Sequence, residues 1–563
     1  MLCWSVIVGV LGALATVVFR HGIAGLVALI VPGGRLASDG TDALVEISRH
    51  LSVVMRVTLP VVGGLVAGGF LLLAERGNRH GSSSDYMESI ALGDGKVPVR
   101  QSLLRSLSAL FTISTGGSIG REGPMIQLAA TVSSSLGQAI GLDVKQLKLL
   151  VACGAAAGIT AAYNTPIAGA FFINEIVVGS FAFETFGPIL LAAVASNITM
   201  RALPEYHPVY LMPAFPQLSA IDYGLSAVLG VIAGVLAPKF LLGIKVVRQW
   251  FKKIPVAIPL RLAFGGLIVG LISDVSPEVW GNGYGVVNSL LHSNWTMAAV
   301  VVVLVAKVCA TLVSVGSGSI GGTFTPTIFI GAAIGWLFGA CIHHVMPSHP
   351  AGNIAFAMVG MGALLAAATD APVMAVLMIF EMTLSYQAVL PLIIACVVGC
   401  VAARYFGTQT MYSIASSRKT RALAHAALRA TYMRDIITPT DTIVDPSAGL
   451  ATMSRLFALH SVKYLYVVDS QRGYKGTVAL RDLNKRLVNG FESASSLKAV
   501  DFVRSNAVEV LTPEMQLSDA VERFLRHTGE RLPAVQSAEN PIFLGTVAKS
   551  TLLQTFCHLD EGR

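Results

Sequence analysis

The chain has 563 residues, of which 54% are hydrophobic and only 13% charged, with a mean hydropathy of +0.68 and a formal charge of +8. Such a composition excludes an ordinary soluble globular protein and puts the chain among integral membrane proteins. The positive balance does not call for nucleic acid, because the basic residues lie mostly in loops beside apolar segments, where membrane orientation accounts for them.

Charge is also unevenly spread. Residues 1–417 hold 38 of the 72 charged side chains and residues 418–563 hold the other 34. This predicts a membrane domain over 1–417, a basic linker over 418–430 and a soluble tail of two units, 431–490 and 496–558. The seven cysteines are scattered, without a CxxC pair, and are expected to be small core residues, neither disulfides nor metal ligands.

In chain order, the apolar stretch 3–31 lacks a basic leading region and a small-residue cleavage site, so it is expected to be a first membrane helix. Further apolar segments fall near 53–75, 101–139, 145–203, 221–243, 258–273, 296–346 and 353–405. Several exceed one span and hold too much glycine and proline for straight helices. The loop 76–105, the connector KVVRQWFKKIP (245–255) and RKTRALAHAALR (418–429) are basic, which places them and the tail on the cytoplasmic side.

An internal repeat dominates the apolar region. GSIGREGPMI (117–126) resembles GSIGGTFTPTI (318–328), and CGAAAGITAAYNTPIAGAFFINEI (153–176) resembles MGALLAAATDAPVMAVLMIFEM (361–382). Pro166 precedes Glu175 by nine residues, as Pro372 precedes Glu381, and the two motif blocks lie 42 residues apart in one half and 46 in the other. Two motifs in one order at near-equal spacing indicate a duplication, expected over about 50–203 and 221–405. Glycine-broken segments at matching places in two halves are the mark of a transport site between repeats. Close helix packing alone would not require such matching.

A helix that begins inside the membrane presents unpaired N–H groups and the positive end of its dipole. Two such starts aimed at one place bind a small anion without a full cation, which permits release. Glycine lets the backbone approach the ion, and proline suits the first turn. Glu122 then competes with the anion for the same donors when ionised and withdraws when protonated; a structural pair with Arg121 is the alternative.

GREGP (Gly120–Pro124), GGTFTP (Gly321–Pro326) and the late tyrosine of MYS (411–413) resemble the CLC chloride channels and Cl⁻/H⁺ exchangers over residues 3–415. The resemblance implies an all-α polytopic domain of tilted and re-entrant helices in an inverted repeat, assembled as a homodimer with one pore per subunit. It implies Glu122 as the gate and anion contacts from Gly120, Arg121, Gly123, Thr323, Phe324 and the Tyr412 hydroxyl. The family's GSGIP motif is replaced by RHGSSSDYMESI (79–90), so its ion-binding serine falls on Ser82 or Gly81. This variant, with WGNGYG (280–285), resembles the ClcB-type bacterial branch, which implies a bacterial inner membrane.

Ile176 occupies the position of the family's internal proton-transfer glutamate, and the neighbouring Glu175 projects about 100° away around a helix. The substitution favours chloride conduction weakly or not coupled to protons; stoichiometric exchange is the alternative. The tail resembles a pair of α+β CBS modules, with KGTVAL (475–480) recurring as LGTVAK (544–549). A G-x-x-[ST]-x-x-D ribose pattern survives only as Asp482, with Ala479, Ala548 and Thr551 at the other places, so a dimerising platform is preferred to an adenine-nucleotide site. Asp370, just before Pro372, is expected to cap the following helix. HHVMPSH (343–349) is read as loop histidines, and no metal or other cofactor is expected. A membrane-embedded enzyme using Glu122 as acid or base lacks a second catalytic group. A sensor anchored by the membrane part would not need two matched repeats.

Overall fold

Apolar sequence surrounded by lipid must satisfy its backbone internally, and the described part of residues 1–412 does so almost wholly as helices. The computed structural model describes residues 1–31, 42–76, 85–179, 181–203, 210, 218–347, 352–407, 409–412, 432–489, 497–503, 510–526, 529–537 and 539–560. The chain divides into two compact units, Met1–Ala415 and Ser416–Arg563. Among the described residues, nine helices are long and apolar enough to cross a membrane.

In the first unit the helices are α1 (Leu2–Ile30), α2 (Asp42–His50), α3 (Val53–Arg76), α4 (Tyr86–Ala91), α5 (Val99–Ser114), α6 (Glu122–Ala139), α7 (Val144–Tyr163), α8 (Pro166–Phe172) and α9 (Phe183–Arg201). They continue as α10 (Ala220–Lys253), α11 (Ile258–Val275), α12 (Tyr284–His292), α13 (Met297–Ser317), α14 (Phe324–Val345), α15 (Asn353–Thr369), α16 (Pro372–Thr383) and α17 (Val389–Phe406). Helices α3 to α9 match α11 to α17 in order. The repeat also reaches back to α1, which packs on α6, α7 and α9 as α10 packs on α14, α15 and α17. The first copy therefore begins well before residue 50. The leading helices share hydrophobicity but no glycine–proline motif, which hid the match.

Both α7 and α15 end on a left-handed residue, Asn164 (φ 59°) and Asp370 (φ 57°). Short polar side chains tolerate that conformation. Asp370 thus does not cap the helix after it: it terminates the helix before it, and its carboxylate pairs with Arg404 at 2.8 Å.

The starts of α8 and α16 are capped from across the repeat. Neither N-cap residue, Thr165 or Ala371, offers a side-chain bond. Instead Glu381 accepts the amides of Ile167 at 3.0 Å and Ala168 at 2.7 Å, while Glu175 accepts that of Met374 at 2.8 Å. Each carboxylate sits at the positive end of the opposing helix. This exchange accounts for the matched nine-residue interval.

Close helix approach sets other glycines. A Cβ at Gly331 of α14 would fall on the Gly360 carbonyl of α15, and one at Gly360 would fall on the Gly331 carbonyl.

The tail folds as two interlocked α+β modules. One holds β1 (Ile443–Val444), β2 (Tyr464–Val468) and β3 (Tyr474–Ala479), with α18 (Leu450–His460) and α19 (Leu480–Asn489). The other holds β4 (Arg531–Val535) and β5 (Phe543–Ala548), with α20 (Leu517–Arg526) and α21 (Lys549–Asp560). Gly476 and Gly545, the glycines of the two GTVA repeats, pair with Val467 and Ala534 at equivalent bulges. The modules are not the contiguous blocks expected: Met433, Ile436 and Ile437 pack in the second core, and Ala499 and Phe502 in the first. Segments that lead into one module complete the other, a crossing that local pattern cannot reveal.

Two outcomes follow. Glu381→Ala leaves two helix-start amides without an acceptor and is expected to cost about 1–3 kcal/mol, read as a lowered Tm in detergent. Met433→Ala empties a buried site and is expected to destabilise the second module by about 2–5 kcal/mol in urea unfolding of residues 416–563.

Candidate anion site at Glu122

Helices α5 and α13 each stop on a glycine loop that leads into the next helix start. Gly116 (φ 97°) and Gly318 (φ 106°) take the left-handed turn, and the Trp280 indole lies where a Gly116 side chain would be. The two loops then pair: Gly120 N–H donates to Gly322 O at 2.7 Å, and Gly322 N–H to Gly120 O at 2.9 Å. This antiparallel bridge holds the starts of α6 and α14 together. Each helix carries proline at its third position, Pro124 or Pro326, and neither N-cap residue, Arg121 or Thr323, offers a side-chain bond.

Glu122, the first residue of α6, reaches across to α14. One carboxylate oxygen accepts the Thr325 amide at 3.1 Å and the other accepts the Thr325 hydroxyl at 3.1 Å. The side chain is only 3% exposed, a depth at which an unpartnered charge costs several kcal/mol. A Cβ at either Gly120 or Gly322 would overlap the carboxylate, so the missing side chains make its seat. The Thr325 hydroxyl also meets the buried phenols Tyr163 OH at 3.0 Å and Tyr284 OH at 3.4 Å. The Arg121 guanidinium lies over the Tyr284 ring, 5.6 Å from its centre.

A cavity of about 580 Å³ leads to this seat. Glu122, Gly123, Thr323 and Tyr412 line it, and Arg105, Lys245 and Arg248 supply positive charge along its wall. Phe324 stands behind, its ring 5.2 Å from that of Tyr163 and 6.1 Å from that of Phe172, which in turn lies 5.5 Å from Tyr412. At the cavity edge Asp85 caps α4 by accepting the Met87 amide at 2.9 Å. This carboxylate stands where the resemblance puts an ion-binding helix start.

The structure thus gathers Gly120, Arg121, Glu122, Gly123, Thr323, Phe324 and Tyr412 in one region. It commits the Gly120 amide to Gly322, so that glycine contributes room for the carboxylate and no free donor. Gly81 and Ser82 lie outside the described residues. Ile176 is 1% exposed in the π-helical turn Ile173–Val178, and Asp482 lies in the first turn of α19, in the other unit. Sequence reasoning missed Thr325, Tyr163, Tyr284 and Gly322. All four lie inside quoted motifs, and the rule that a phenol in apolar surroundings needs a partner could have flagged the tyrosines.

Paired glycine loops, opposed helix starts and a duplicated helical frame define a membrane transport protein, not an enzyme. Residues 63–404 match the family described as voltage gated chloride channel, and the chain belongs to that family. It is 47% identical over 422 residues to a ClcB-like protein of Ralstonia nicotianae, covering 74% of this chain and 97% of the relative. It is 38% identical over 411 residues to the voltage-gated ClC-type chloride channel ClcB of Citrobacter koseri, covering 72% and 97%. Among solved structures it resembles a slow cyanobacterial Cl⁻/H⁺ antiporter with a TM-score of 0.63 at 25% identity, over 74% of this chain and 97% of that one. A eukaryotic CLC transporter shares the fold with a TM-score of 0.62 at 17% identity, over 98% of this chain, tail included, and 97% of that one.

Gly322→Ala sets a methyl group on the seat, where it excludes the Glu122 carboxylate and a chloride ion alike. Chloride efflux from liposomes is expected to fall about tenfold at neutral and at acid pH, the weight of one hydrogen bond to a charged group.

Proposed function

We propose that the chain carries chloride across a bacterial inner membrane through a pathway that Glu122 closes. The observation that supports it is the Glu122 carboxylate on the amide and hydroxyl of Thr325 at the start of α14. An anion and this carboxylate need the same donors, so one displaces the other. Ionised, Glu122 competes with chloride; protonated, it loses most of its attraction to the seat and frees it. The cavity with Arg105, Lys245 and Arg248 concentrates anions before the seat.

Conduction weakly or not coupled to protons is supported by Ile176 at the position of the family's internal proton-transfer glutamate, with Glu175 engaged on Met374. Stoichiometric exchange is the second reading, favoured by the likeness to a structure described as a Cl⁻/H⁺ antiporter. Homodimeric assembly is part of the proposal and is supported by the family resemblance. The tail is proposed to be cytoplasmic, on the basic stretches 245–255 and 418–429, and to serve as a dimerising platform rather than a nucleotide site.

The test uses purified protein in chloride-loaded liposomes, with chloride efflux and external pH recorded together. Wild-type efflux is expected to rise as pH falls, and Glu122→Gln to hold it at the acid level at every pH. An unaltered pH profile in Glu122→Gln would remove Glu122 as the gate. Proton uptake in fixed ratio to chloride efflux would replace conduction with exchange.

A further inference from the structure

Many threonines in these helices, Thr112, Thr131 and Thr369 among them, turn their hydroxyls back to a carbonyl four residues earlier, as Thr327 does to Thr323 O at 2.8 Å. Thr325 does not. It is 1% exposed, and its hydroxyl bonds the Glu122 carboxylate together with Tyr163 OH and Tyr284 OH. A hydroxyl has one proton to give and two lone pairs to accept with. The carboxylate takes the proton, so the two phenols donate to the lone pairs. Tyr163 and Tyr284 are 0% and 4% exposed, on α7 and α12, and their rings meet edge to face at 6.4 Å. Their directions are fixed by the packing, and with both lone pairs filled the Thr325 proton can point only toward the seat.

We propose that the Thr325 hydroxyl, aimed by Tyr163 and Tyr284, is a specificity-determining donor of the anion site beneath Glu122, and that it favours small anions of high charge density over larger ones. The proposal rests on the reading of Glu122 as a displaceable occupant. When the carboxylate leaves, the seat keeps two donors from one residue, the Thr325 amide and hydroxyl, already oriented at no further cost in reorganisation. An oriented O–H donor in direct contact stabilises a compact anion more than one whose charge is spread over several atoms, so field strength here sets the order of preference. The charged and titratable groups facing the seat are Arg121 at the start of α6, Tyr163 of α7, Tyr284 of α12 and, across the cavity, Tyr412. The Arg121 charge and the phenols are common to every anion that enters, so discrimination between anions falls to the donor in contact.

The test measures efflux of chloride, bromide and nitrate from liposomes holding the full-length protein, for wild type, Thr325→Ala, Thr325→Ser and the double variant Tyr163→Phe/Tyr284→Phe, each with Glu122 and with Glu122→Gln. Thr325→Ala is expected to lower the chloride-to-nitrate ratio about three- to tenfold, the range of one ordinary net hydrogen bond. Thr325→Ser should restore it, and the double variant should lose part of it because the hydroxyl remains without direction. The same shifts are expected in the Glu122→Gln background, which separates the two ideas: an unaltered pH profile there removes the gate but leaves the ratio informative. A wild-type ratio in Thr325→Ala overturns the proposal. If that variant carries no anion, a wild-type ratio in the double variant overturns it equally.

Discussion

A carboxylate that is 3% exposed inside a membrane protein must be given hydrogen-bond donors, and the centre of this molecule is arranged around that need. Helix starts are the densest source of free amides a chain can make without adding positive charge. To use two of them, the chain must stop a helix in apolar surroundings, turn, and begin another. The left-handed Gly116 and Gly318 make the turns, the Gly120–Gly322 bridge satisfies the loops against each other, and the prolines begin α6 and α14 without wasting a donor.

Much of this was legible because backbone demands leave local marks. Glycine at a turn, proline in a first turn and a carboxylate beside them form a pattern that survives in sequence, and its recurrence near residue 320 exposed the duplication. What escaped depends on the third dimension. Thr325 was visible inside GGTFTP, but nothing in the chain order says that Tyr163 and Tyr284 converge on its hydroxyl from α7 and α12. The first copy of the repeat was begun too late because α1 and α10 correspond in packing and not in motif. The crossing of Met433 and Phe502 into each other's modules is invisible for the same reason: burial in a neighbour looks like burial at home.

The surroundings of Glu122 also separate two demands that sequence alone runs together. Holding the carboxylate is the work of α14, through Thr325. Charge along the approach is supplied by Arg105 of α5 and by Lys245 and Arg248 of α10. Residues on the approach can therefore vary the supply of anions while the seat keeps its geometry. Asp85, capping α4 at the cavity edge, adds a negative charge to an otherwise positive wall and tempers the local concentration of anions.

The crossed caps of α8 and α16 carry a consequence for how the chain is made. Glu381 serves amides 213 and 214 residues earlier, and Glu175 serves one 199 residues later. A single half holds one carboxylate and one helix start, yet cannot bring its own pair together, because the two sit at opposite ends of the same short segment. Two identical halves meeting about a twofold axis can, each lending its glutamate to the other. The single chain makes within itself the exchange that two separate halves would make between them. During synthesis, α8 waits for most of the second half to emerge before its start is satisfied.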